Sequence, residues 1–155
     1  TSPLRRSADT GRWLARWGWR HRVDARLCEL DFGDWDGRDW ADIAVTEIDA
    51  WCAEFARHAP GGGEPVAALL ARCAAFIDDE RAGCVVGHAG WISAALWLRD
   101  CNGALPQAAT WPRAVGYGAL VTFLSAADRA ASASSRAGSA CSIPKARPAR
   151  YRPTR

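Results

Sequence analysis

The sequence contains no methionine and only one lysine, Lys145, against 19 arginines. Without methionine, residue 1 is not an initiator, so the chain is expected to be processed or a piece of a longer protein. The excess of arginine, alanine and tryptophan reads as a GC-rich coding bias and says little about function. No apolar run approaches the ~18 residues of a membrane span, so no membrane partner is expected. No signal peptide is visible either. None of the six cysteines, Cys28, Cys52, Cys73, Cys84, Cys101 and Cys141, stands in a C-x-x-C pair, which argues against a zinc knuckle or a thioredoxin-like motif. Cys73 and Cys84 lie in apolar surroundings and are expected as small core residues with free thiols. That pattern suits a reducing compartment and a cytoplasmic protein. There is no P-loop and no G-x-S-x-G elbow. His21, His58 and His88 are not spaced as a metal cluster. Asp31, Asp34 and Asp36 fail as a calcium loop, because alignment on Gly37 puts Phe32 at the first ligand position and Ile43 at the last. The sequence therefore implies no metal and no cofactor.

The 155 residues fit one domain, and 49% of them are apolar, enough for a core. The net charge of +3 conceals two regions. Residues 126–155 hold seven basic residues and one acidic, Asp128, whereas residues 1–125 hold 13 basic and 16 acidic, a net of −3. The body offers no nucleic-acid footprint, and a nucleic-acid partner is not expected. The tail is rich in Ala, Ser, Arg and Pro and cannot bury enough surface to offset its ordering entropy. Disorder is expected over 126–155, beyond a domain at 1–125.

Along that domain, Ser2 and Pro3 suggest the cap and first position of a helix reaching about Trp17, with Trp13, Leu14 and Trp17 on one face and Gly18 as its stop. A short strand follows at 20–23, then a loop at 24–37. Trp40, Ile43, Ile48, Trp51 and Phe55 predict an amphipathic helix over 39–57. After the break at 59–63, a second helix is expected over 65–79, with Val66, Leu69, Leu70, Cys73, Phe76 and Ile77 facing inward. Residues 84–86 read as a buried parallel strand, 87–90 as a turn into a helix at 91–99 capped by Asn102 and Gly103, and 119–124 as another strand. Alternating strands and helices argue for an α/β layered fold with a mostly parallel sheet.

Three places can carry chemistry. Arg5 and Arg6 lie in a first helical turn, where free N–H groups and a guanidinium fork favour an anion. His88 follows an apolar strand and precedes a helix, the place where open α/β sheets bind ligands. Glu29, on a loop near arginines, is able to shuttle a proton. Taken singly, a solvated arginine pair, a satisfied strand-end histidine and a surface glutamate explain each of them.

Their order is more telling. T-S-P-L-R-R-S-A-D-T, R-L-C-E-L-D-F-G-D-W-D-G, P-G-G-G-E and V-V-G-H-A-G together resemble the histidine phosphatase (phosphoglycerate mutase-like) superfamily over about residues 1–124. The short E-L-D-F-G-D-W-D-G loop, the brief insertion before P-G-G-G-E and the closing V-G-Y-G-A-L resemble its bacterial α-ribazole phosphatase branch; phosphoglycerate mutases usually carry a longer insertion there. The resemblance implies a three-layer α/β fold with a mostly parallel sheet flanked by helices. It also implies hydrolysis of a phosphorylated small molecule through a phosphohistidine, with cobalamin nucleotide-loop chemistry as the branch function. It implies that Arg6 binds the phosphate, that His88 contacts the phosphoryl oxygens, and that Glu29 protonates the leaving oxygen and then activates water. It places Glu64 at the pocket rim, where Pro65 replaces the usual Ser or Thr and removes any hydroxyl role. Trp35, Trp91 and Trp111 are further rim candidates. The family's nucleophile stands in an R-H-G motif on a first strand before the S-P-L helix. About 50–60 residues of that pattern are absent from this sequence, so the chain is expected to lack that strand and to turn over poorly. A non-catalytic phosphate-binding remnant is the alternative, and phosphoglycerate mutase activity a more distant one. Oligomeric state is open.

Overall fold

Four α-helices carry the architecture of residues 1–79, 83–101 and 103–122, which are the residues this computed structural model describes: α1 (Arg5–Arg16), α2 (Val45–Ala53), α3 (Val66–Asp79) and α4 (Ala89–Asp100). Short 3-10 turns at Ala25–Leu27, Gly33–Trp35, Trp40–Asp42, Pro60–Gly62 and Ala108–Thr110 shape the loops between them.

The core forms where α3 crosses α4. In α3 the apolar residues recur at helical spacing, and Val66, Leu69, Leu70, Cys73 and Phe76 are buried while Ile77 is half-buried. Full burial of side chains such as Val66 and Leu69 stabilises the fold by about 1.5–3 kcal/mol each. Ala94 and Ala95 give α4 a small-residue face that lets α3 approach, and Trp91 meets Phe76 edge-on with ring centroids 5.7 Å apart. Burial also pushes the Cys73 thiol up to about 12, so that thiol stays protonated.

The sequence-based α/β expectation is overturned: among the described residues there is no strand and no sheet. A strand exists only where a neighbouring extended segment exchanges backbone hydrogen bonds with it. Among the described residues, 20–23 and 84–86, expected as strands, form no ladder with such a neighbour. Thr1 makes one parallel-type rung, with its N donating to the Arg22 carbonyl and its carbonyl accepting from Asp24 N, both at 2.8 Å. The Val86 carbonyl instead accepts from the Ser7 hydroxyl at 2.7 Å. Cys84, expected in the core, is consequently exposed. Residues 119–122 carry no strand either, and 123 and 124 lie outside the described residues, as do Asn102, Cys141 and the basic segment 126–155.

Two helices also differ from expectation. Helix α1 buries Ser7, Ala8 and Gly11, not its tryptophans, and Trp13 and Trp17 are exposed. The cause is close approach: a Cβ on Gly11 would sit 2.3 Å from His21 Nε2 and 2.6 Å from a Thr1 side-chain carbon. The single helix expected over 39–57 divides into the turn at Trp40–Asp42 and α2. Ile43, with extended backbone between them, buries its β-branched side chain by leaving the helix. Among the described residues no helix is long and apolar enough to cross a membrane.

Candidate active site

His88 stands at the N-terminus of α4 with extended backbone, and its carbonyl accepts from Ile92 N at 2.9 Å. Its ring is buried between two side chains from the start of the chain. Arg6 Nε lies 3.2 Å from Nδ1, and Ser2 Oγ lies 2.6 Å from Nε2. A guanidinium only donates, so Nδ1 must be the unprotonated acceptor and Nε2 must carry the proton it donates to Ser2. Burial, then the nearby Arg6 charge, holds the His88 pKa below the usual imidazole range, with Glu29 pulling the other way. The ring is therefore a neutral, single-donor group. Ser2 does not cap α1, which begins after Leu4; its oxygen accepts from Leu4 N at 3.3 Å while receiving the imidazole proton.

Glu29 sits against the same helix end. Oε1 accepts from Leu30 N at 3.0 Å and Trp91 N at 3.2 Å, and Oε2 accepts from Gly90 N at 3.1 Å. A carboxylate here satisfies helix donors that have no partner within the helix and faces the positive end of the α4 dipole. Gly90 permits the contact, since a Cβ there would lie 2.4 Å from Glu29 Oε1.

The Glu29 loop is held by Arg72 from α3. Its guanidinium donates to the carbonyls of Arg26 (2.8 Å), Cys28 (2.7 Å) and Glu29 (3.0 Å) and forks onto Glu64 at 2.7 and 2.8 Å. Glu64 N in turn donates to the Asp31 carbonyl at 2.8 Å. The two loops mesh through glycines. Gly33 has φ +55 and Gly61 has φ +57, and a Cβ on Gly33 would fall 2.2 Å from the Gly61 carbonyl oxygen. A Cβ on Gly63 would fall 2.3 Å from the Asp31 carbonyl oxygen.

Arg6 and His88 are thus in direct contact, and Glu29 binds the first turn of the helix that His88 begins. Glu64, expected at a pocket rim, is engaged by Arg72. A cavity of about 260 Å³ is lined by Glu29 and Gly90 and not by Arg6 or His88. Trp111 lines it too, whereas Trp35 and Trp91, the other rim candidates, are buried; the Trp91 indole N–H donates to the Arg26 carbonyl at 2.9 Å. Sequence reasoning missed Arg72 and the Ser2–His88 bond. Nothing local marks Arg72, because its partners are mostly backbone carbonyls more than 40 positions away. Among the described residues no group of three or more His, Cys, Asp or Glu is placed to hold a metal ion.

A guanidinium, a neutral imidazole donor and a carboxylate around one helix N-terminus form a set able to bind a tetrahedral oxyanion and move a proton. The crystal structure of TTHB049 from Thermus thermophilus is similar to the chain at 28% identity, with a TM-score of 0.51 over 73% of this chain and 67% of that one. Among curated proteins, none matches. The family model for the histidine phosphatase superfamily (branch 1) matches residues 1–135, and with that match over most of its length the chain belongs to this superfamily.

Proposed function

We propose that Arg6 and His88 form the seat for the phosphoryl group of a phosphomonoester, and that Glu29 handles the proton of its alcohol oxygen. The observation that carries this reading is the Arg6–His88 hydrogen bond, made across 82 positions of sequence at the end of the helix that Glu29 caps. Arg6 uses Nε on His88, and among the described residues no acceptor takes its terminal nitrogens, which are free for phosphate oxygens. A bound phosphate oxygen replaces Ser2 Oγ as acceptor of the His88 Nε2 proton. Charge on three outer oxygens of a phosphoryl group in transfer is met by these donors. Glu29 protonates the leaving oxygen and, in the second half-reaction, takes a proton from water. A phosphohistidine route, which the family resemblance implies, needs a further histidine as nucleophile, because His88 serves here as a phosphate ligand.

Within this reading, the loop at 29–37 and the short insertion before Pro60 favour an α-ribazole phosphatase-like substrate, and the free cysteines suit a cytoplasmic setting. The 155 residues contain no R-H-G, the motif that would supply the nucleophile, so this chain binds phosphate and turns it over poorly. The second reading, a phosphate-binding protein without turnover, is favoured by the engagement of both Glu29 oxygens with backbone N–H groups.

Calorimetry with inorganic phosphate and hydrolysis of p-nitrophenyl phosphate test the proposal together. Arg6→Ala should weaken phosphate binding about tenfold or more, given about 1.5–3 kcal/mol for a hydrogen bond to a charged group. Unchanged affinity overturns the phosphate seat. Robust, vanadate-sensitive hydrolysis that disappears in His88→Ala overturns the poor turnover.

A further inference from the structure

The net charge of −3 over residues 1–125 averages two surfaces of opposite sign. Residues 1–22 hold six arginines and one acid, Asp9, whereas residues 31–49 hold seven carboxylates and one cation, Arg38. All six arginines and all seven carboxylates are exposed. On α1 the buried side is Ser7, Ala8 and Gly11, so charge and rings share the outward side. Arg5, Arg12 and Arg16 follow one flank at helical spacing, and Trp13 and Trp17, one turn apart, follow the next. Trp13 is 58%, Trp17 75% and Trp19 53% exposed, and the Arg16 guanidinium lies 4.6 Å from the centroid of the Trp13 ring.

A single exposed apolar residue needs no explanation, but three neighbouring tryptophans form a patch that does. A face that enters a bilayer is apolar throughout. Here every tryptophan has an arginine within four positions, and Trp with Arg is the composition in which the binding energy of protein interfaces concentrates. The second surface has the same makeup with the charge reversed. Trp40 stands between Asp39 and Asp42, is 42% exposed, and stacks on Trp51 at 6.3 Å between centroids. Among the described residues Arg16 and Arg20 have no acidic partner, and Asp36 and Asp39 have no basic one.

We propose that a second copy of this chain docks on the outward face of α1, with its residues 34–49 against the tryptophans and arginines. The rings supply apolar area to bury, and the charges steer the approach and fix the register. A neutral or basic partner would leave the arginines desolvated and unpaired. Because two different faces meet, the contact is head-to-tail.

Sedimentation velocity on the 155-residue chain tests this. Association should grow with concentration in the micromolar range. It should weaken between about 0.1 M and 1 M salt, where the screening length falls from about 10 Å to about 3 Å. Trp17→Ser should weaken it at least about tenfold. Arg16→Glu/Arg20→Glu makes both faces acidic, Asp36→Arg/Asp39→Arg makes both basic, and each variant alone should stay monomeric. Mixing them should restore association, because the first keeps the acidic face and the second keeps the tryptophans with their arginines. All four positions are exposed, and circular dichroism checks that each variant keeps the fold. A native chain that is monomeric at every concentration overturns the proposal. So does association that persists in Arg16→Glu/Arg20→Glu alone, or a mixture of the two folded variants that stays monomeric. Binding of an oligothymidylate, or of phosphatidylglycerol vesicles, by a chain that stays monomeric gives the face to a nucleic acid or a lipid surface and also overturns it.

Discussion

Glu29 and His88 sit at one helix end and are held there in opposite ways. Three backbone N–H groups fix the Glu29 carboxylate, Arg72 clasps three carbonyls of its loop, and glycine contacts lock that loop to the next. His88 rests on two side-chain contacts, one of them from an exposed arginine, and follows an extended segment without a β-ladder. The carboxylate is over-determined, whereas the imidazole is adjustable. A proton carrier must return to one place between two half-reactions, and a phosphate ligand must release a stand-in and accept the anion. That division of rigidity suits the roles proposed for Glu29 and His88.

The comparison breaks most severely at Arg72. Arg72→Met leaves Glu64 and the Cys28 and Glu29 carbonyls without this partner, while the Arg26 carbonyl keeps the Trp91 indole N–H, and should cost about 3 kcal/mol by chemical denaturation, the low end of the range for breaking a buried ion pair because both side chains are partly exposed. Arg72→Lys should recover little, because an ammonium cannot reproduce the fork. A loss below ~1 kcal/mol would show that the carboxylate side is not held as described.

A smaller effect is expected where the loops mesh. Gly33→Ala should destabilise by about 2–3 kcal/mol from combined strain and overlap. Gly37, at φ +78 with open space around it, gives the control: Gly37→Ala should cost only about 1 kcal/mol. Equal losses in thermal or denaturant unfolding would remove the meshing argument.

The mildest test sharpens the imidazole side. The folded His88 pKa is depressed, so between that pKa and the unfolded value of about 6.5 the unfolded chain binds more protons. The associated stability is complete above about pH 6.5 and declines as pH falls toward the folded pKa. Protonation of Nδ1 also sets a donor against Arg6 Nε. Melting temperature should therefore drop between pH 7.5 and 5.5, and the drop should shrink in His88→Gln. An identical pH profile in that variant would mean that other groups govern the acid loss.

The sequence makes some of this legible and hides the rest for physical reasons. Helix α3 follows directly from the spacing of Val66, Leu69, Leu70, Cys73 and Phe76, because a helix needs only its own residues to form its hydrogen bonds. Residues 20–23 and 84–86 have strand-like composition, but a ladder needs a neighbour that composition does not reveal. Trp13 and Trp17 have the periodicity of a buried face, yet Gly11 decides the packing, since its missing side chain lets His21 approach. The contact of Arg6 with His88 is legible only through ordered motifs. Arg72 is not, because its role depends on which carbonyls the fold delivers to it.

The meshed glycines have an evolutionary consequence. Residues 28–36 and 59–64 touch through main-chain atoms, so neither loop tolerates a side chain or an added residue at the contact unless the other changes in step. The two stretches are therefore expected to change together. A chimera that imports one of them from a relative will need its counterpart from the same source.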